Sequence, residues 1–134
     1  MKRTWPIIAV TDVTGSAAWY TRLLGATNNH PGATVFDQIV DTDGTVLLCL
    51  HHWGPSGLQG DHHYASLSRP HKGHEGNGLL LWFVVDDFDS AWERAQTSGA
   101  SIEERPNDDN GTFMRAFIVR DPDGYYVAIN ETRG

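Results

Sequence analysis

The chain contains one unit written twice, and this repeat constrains the fold more than any other feature. VTDVTGSAAWYTRLLGA (Val10 to Ala26) lies over VDDFDSAWERAQTSGA (Val85 to Ala100), with Val10 on Val85 and Asp12 on Asp87 at an offset of 75. After a one-residue deletion, Ser16, Ala17, Gly25 and Ala26 fall on Ser90, Ala91, Gly99 and Ala100 at 74. DTDGTVLLCL and DPDGYYVAIN form a second pair, in which Asp41, Asp43 and Gly44 match Asp121, Asp123 and Gly124 at 80. A duplicated unit of this kind predicts two copies of one supersecondary element in a single chain.

Each half reads in the same order. An apolar strand (PIIAV; LLLWFVV) runs into a residue suited to cap a helix, Asp12 or Thr14 in the first half and Asp87 or Asp89 in the second. A helix of about ten residues follows, stopped by Gly25 or Gly99. The DTDG and DPDG turns come next, where Asp supplies side-chain bonding and Gly a positive φ between antiparallel strands. The unit is strand, helix, then two or three antiparallel strands, so the fold class is α+β. The first module covers about residues 4–50, a connecting loop about 51–78, and the second module about 79–131. At 134 residues the whole is one domain by length.

The pattern resembles the vicinal oxygen chelate superfamily, which includes glyoxalase I, extradiol dioxygenases and bleomycin resistance proteins. VTDVTGSAAWYTRLLG, which is similar to that family's first strand and helix, carries the likeness together with RAFIVRDPDGYYVAINE at the end. The resemblance implies two βαβββ modules whose mixed sheets curl around a cavity, the glyoxalase/bleomycin resistance fold, in a homodimer.

It also implies where a metal would sit. Enzymes of the superfamily hold a divalent ion with a His or Glu five residues before the valine of "V.D" and a Glu four residues after the glycine of "DPdG". Five before Val10 is Trp5, and five before Val85 is Leu80; four after Gly44 is Leu48, and four after Gly124 is Ala128. None of these ligates a metal, and moving two residues along each strand yields only Asn130 as a weak oxygen donor. The expectation is no metal and no cofactor.

Strand parity instead gathers Trp5, Ile7, Leu48, Leu50, Leu80, Trp82, Tyr126 and Ala128 into an apolar, aromatic lining, the usual chemistry of a small-molecule pocket. Any one of them could equally be core, but two tryptophans at repeat-related strands suit stacking on a planar ligand. Arg115, in TFMRAF, matches an arginine common in the resistance branch and suits an ion pair at a surface or dimer edge.

Charge and composition exclude other classes. A net charge of −7 disfavours nucleic acid, whose phosphates require a basic face. No run approaches the roughly 20 apolar residues of a membrane span, and MKRTWPIIAV lacks a signal-peptide core, so a cytoplasmic location is expected and the Asn130 sequon idle. The single cysteine, Cys49, lies in the apolar run TVLLCL and reads as a buried hydrophobe rather than a nucleophile. GPSGLQG is no nucleophile elbow, GHEGNG no dinucleotide loop, and helix capping accounts for Asp86, Asp87 and Asp89.

Six of the seven histidines lie between Leu50 and Gly76. Adjacent strand residues face opposite ways, so His51 and His52 do not share a site, and the segment reads as a lid with His52 and Trp53 on its ligand side. The preferred function is sequestration of a hydrophobic or aromatic, cationic ligand without bond breaking. The alternative is a metal-dependent glyoxalase-like lyase or isomerase, or a ring-cleaving dioxygenase, with ligands recruited from His51, His52, His62 and His63. A third is a structural dimer or regulator with a filled cavity.

Overall fold

The computed structural model describes residues 1–54, 64–69, 78–106 and 115–132. The chain divides into two compact units, Met1–Gly73 and His74–Gly134. In the first, β1 (Ile7–Val10) leads into α1 (Val13–Leu24), then β2 (Thr27–Asn28), β3 (Phe36–Val40) and β4 (Val46–His52). In the second, β5 (Leu80–Val85), α2 (Phe88–Thr97), β6 (Ser101–Glu104), β7 (Ala116–Arg120) and β8 (Tyr126–Glu131) repeat the order. Each sheet has four strands, ordered β1-β4-β3-β2 and β5-β8-β7-β6, with the first pair parallel and the others antiparallel. Two βαβββ modules with mixed sheets are thus present, as the repeat predicts.

The local chemistry explains the elements. Asp12 caps α1, its Oδ1 accepting from Gly15 N at 3.0 Å, and the helix ends at Gly25 with last-turn Arg22 near its negative end. In α2 the capping expectation holds for position but not for bonding. Asp87 makes no side-chain cap bond and accepts from Arg94 Nη2 at 2.9 Å instead, while Asp89 places negative charge in the first turn. The two hairpin turns are built alike: Gly44 N and Gly124 N donate to Asp41 O and Asp121 O at 2.9 and 3.0 Å. Both glycines have φ near +90°, which a residue with a Cβ adopts only with strain.

One face of each sheet is covered by its helix. In the second unit Phe117 lies at ring-centroid distances of 5.6 Å from Phe88 and 5.0 Å from Trp92, and shares its face with Phe83 and Ile129. The repeat places Ile8 on Phe83, and Ile8 pairs with Leu50. The helix side of the first sheet is therefore Ile8, Val10, Ile39, Leu48 and Leu50, all buried, beneath Val13, Ala17, Tyr20 and Leu23 of α1. Burying each large aliphatic side chain contributes about 1.5–3 kcal/mol, which is what holds helix to sheet.

A β-bulge corrects the sequence-based parity in the first unit. Val40 pairs with Val46 but Ile39 pairs with Leu48, so Leu47 is the extra residue on β4 and has no partner of its own on β3. The second unit runs regularly through Arg120↔Tyr126, Val119↔Val127 and Ile118↔Ala128. Beyond the bulge the repeat offset drops from 80 to 79. Cys49, not Leu48, becomes the counterpart of Ala128, as the pairs Ile7↔Cys49 and Trp82↔Ala128 require. Leu48, Leu50 and His52 consequently share parity with Val10 and the helix side, away from Ile7; a one-residue slip inverts every later side chain.

β4 continues through His51 and His52, and a 3-10 turn, Ala65–Leu67, returns to its end, where Gly54 N donates to Leu67 O at 2.8 Å. Arg69 stacks over the Trp53 ring at 5.0 Å and donates to Thr11 Oγ1 at 3.2 Å. His62, His63, His71 and His74, and with them most of the expected lid, lie outside the described residues.

Candidate ligand face

In the second unit, the side of the sheet away from α2 carries Leu80, Trp82 and Val84 from β5, then Tyr126, Ala128 and Asn130 from β8 in matching rows. Ala116, Ile118 and Arg120 of β7 continue those rows. Leu80, Trp82 and Val84 are 46%, 51% and 60% exposed. The four residues that sequence parity assigned to a lining here, Leu80, Trp82, Tyr126 and Ala128, do share one face.

Polar groups frame this apolar strip. Arg120 stacks over the Tyr126 ring at 4.0 Å, donates to the Tyr126 hydroxyl and to Gly124 O, and pairs with Glu103 at 3.0 Å. At the opposite end Trp82 Nε1 donates to Asn130 Oδ1 at 3.4 Å, and Asn130 Nδ2 donates to Arg115 O at 3.0 Å. Asn130 is only 2% exposed, so its sequon is closed to modification by burial. Ala128, between the two polar ends, is fully buried.

Arg115 is an internal clamp. Its Nε and Nη2 meet the two carboxylate oxygens of Glu131 at 2.9 and 3.0 Å, its Nη1 meets Asp89 at 3.1 Å, and the guanidinium lies over the Phe88 ring at 4.5 Å. Hydrogen bonds from Arg115 to Glu131 first, and to Asp89 second, hold the proton on the guanidinium more tightly than usual. The clamp ties the first turn of α2 to the end of β8.

In the first unit, Ile7 and Ala9 share the face away from α1 with Cys49 and His51, and with Gln38 and Phe36 of β3. Ile7 is half-exposed, whereas Ala9, Cys49 and His51 are buried. Gln38 Nε2 lies 3.9 Å from Cys49 Sγ, and burial pushes the thiol above its ordinary pKa, so it stays protonated at neutral pH. His51 packs against Phe36 and Tyr64 at 6.4 and 5.8 Å, its Nδ1 2.7 Å from His52 O. Trp5 lies apart, in a surface cavity of about 560 Å³ between the N-terminal segment and turn residues Asp43 to Val46. Sequence reasoning set Leu48 rather than Cys49 on this face because the bulge was not visible to it, and named His51 only as an alternative metal ligand; Gln38 and Phe36, on β3, it did not assign.

These residues do not fit a divalent metal. The resemblance places ligands at Trp5, Leu80, Ala128 and, with the bulge counted, Cys49, a set offering a single donor where three or four must converge. Among the described residues no three His, Cys, Asp or Glu side chains gather as a metal site would require.

Among the described residues no helix is long and apolar enough to cross a membrane. The structure is similar to TioX from Micromonospora sp. ML1, with 20% identity, a TM-score of 0.69 and 98% of each chain covered. It is also similar to oxidase ChaP-H1, at 21% identity, TM-score 0.66, and 99% of this chain and 97% of that one. A glyoxalase / bleomycin resistance protein from Catenulispora acidiphila DSM 44928 matches at 22% identity, TM-score 0.63, over 99% of this chain and all of that one. At such identities these likenesses establish the fold. A family model matches residues 4–129. The chain belongs to the glyoxalase/bleomycin resistance protein/dioxygenase superfamily.

Proposed function

We propose that the protein binds a small, flat, hydrophobic or aromatic molecule and sequesters it without breaking a bond, in the manner of the bleomycin resistance branch, as a cytoplasmic homodimer. The observation that carries this reading is the half-exposed indole of Trp82, flanked by exposed Leu80 and Val84, on the strand whose family counterpart would bear a metal ligand. An indole face supplies stacking area and attracts a cation, which the net charge of −7 also favours. Leu80, Trp82, Tyr126 and Ala128 form the binding face of the second unit; Trp5 and Ile7 are among the exposed apolar side chains of the described residues of the first unit. Leu48, Leu50 and His52 support the α1 side instead, and Trp53 is engaged by Arg69. No general acid or base is required.

The test is native mass spectrometry of protein purified without a histidine tag, combined with elemental analysis and sedimentation. A co-purified organic ligand on a metal-free dimer is the expected result. About one equivalent of Zn, Ni, Mn or Fe per chain, lost in His52→Ala, would establish the metal-dependent lyase, isomerase or dioxygenase reading in its place.

A further inference from the structure

Resting on the reading of the Trp82 face as a ligand platform, we propose that Asn130 is its positioning residue: a buried amide that sets the plane of the indole and turns its ring face, not its N–H, toward the ligand. Three observations lead there. Asn130 is 2% exposed, while Trp82, whose ring it holds, is 51% exposed as a residue. Its amide is oriented from behind, because Nδ2 donates to Arg115 O at 3.0 Å and leaves Oδ1 directed at Trp82 Nε1 at 3.4 Å. The residue behind it is fixed in turn, since the Arg115 guanidinium is gripped by Glu131 and Asp89 and the Arg115 carbonyl also accepts from Glu131 N at 2.9 Å.

A side chain on an exposed strand face samples several staggered rotamers unless something holds it. Here the only polar atom of the indole is engaged across the β5–β8 ladder by Asn130, so the ring cannot offer a donor to a ligand. What it offers is its π face, a surface suited to a flat heteroaromatic ring and most strongly to a cationic one. Asn130 touches no ligand in this account; it acts through Trp82 by reducing the ordering that binding must otherwise impose.

The probe is N-methylacridinium, a flat fluorescent cation, with the indole N–H cross-peaks of the five tryptophans as an independent readout. Trp82→Phe assigns the Trp82 peak. In the wild-type protein that N–H is expected to exchange with water about tenfold more slowly than a free indole, and in Asn130→Leu to shift and lose this protection, the other four peaks holding still. Asn130→Leu should weaken N-methylacridinium about fivefold, and Asn130→Leu with Trp82→Phe no further than Trp82→Phe alone.

Once Trp82→Phe has assigned the peak, exchange at the free-indole rate in the wild-type protein overturns the proposal with no substitution at Asn130, so an Asn130 variant that fails to fold leaves it testable. Unchanged dye affinity in Asn130→Leu, with affinity lost in Trp82→Ala, overturns the positioning role and leaves the platform standing. Dye affinity indifferent to Trp82→Ala removes the platform, and the positioning role with it.

Discussion

Ile7 faces Cys49 across the parallel β1–β4 ladder, where an unbroken repeat would have set it against Leu48. The cause is the extra residue at Leu47, which rotates the rest of β4 by half a pleat. The side chains beyond it thereby exchange roles: Leu48 and Leu50 close onto α1, and the Cys49 thiol turns to the other face. That exchange separates residues whose loss should cost stability from those whose loss should cost binding.

Leu48→Ala and Leu50→Ala are expected to lower unfolding free energy by about 2–5 kcal/mol, since both are fully buried on the helix side. Ligand affinity of the folded fraction should stay within about twofold. Urea unfolding followed by intrinsic fluorescence, paired with dye titration, separates the two quantities, and a stable Leu48→Ala with lost affinity would contradict the assigned parity.

Arg115→Ala removes the bidentate contact to Glu131 and the tie to Asp89 at once. Both pairs are partly exposed, so the expected loss is modest, about 1 kcal/mol. Arg115→Lys should recover less than half of it, because an ammonium cannot reproduce the fork. Thermal unfolding at low and high salt checks this, with the difference between wild type and variant shrinking as salt rises.

The pKa of Cys49 is raised in the folded protein by burial, so the folded state favours the neutral thiol. Its contribution is complete below the ordinary thiol pKa of 9.0 and declines as pH rises above that value toward the folded pKa. Stability of the wild-type protein should fall more steeply with pH above 9.0 than that of Cys49→Ala. Parallel denaturation curves for the two proteins would show that the thiol does not titrate as described. Native Cys49 should also react with an aromatic disulfide reagent far more slowly than unfolded Cys49.

The repeat made the modules, both helices and both aspartate turns legible, because 3.6-residue and two-residue periods, caps and turn glycines are local signals. The bulge was not local in that sense. Val46 to Leu50 are all apolar or sulfur-bearing, so the sequence has no polar alternation to mark which face each occupies. The β7–β8 and β5–β8 ladders of the second module gave no such trouble, since they are regular and their parity follows from the DPDG turn. Asn130 was legible only as a weak oxygen donor. Its work on Trp82 and Arg115 joins residues 48 and 15 positions apart, a relation that only pairing β5 and β7 to β8 reveals. Asp87 shows the same limit on a smaller scale, standing at the cap position while its carboxylate serves Arg94.

The central claim is that the face bearing Trp82 binds a flat aromatic ligand, and equilibrium titration of N-methylacridinium into wild-type and Trp82→Ala protein tests it most directly. Trp82 is half-exposed, so its removal should leave the midpoint of thermal unfolding within a few degrees. Affinity should fall at least about tenfold in Trp82→Ala, the scale expected for losing a stacked aromatic contact. Equal affinity in the two proteins, with the dye displaced instead by substitution of Ile7 or Trp5, would contradict it.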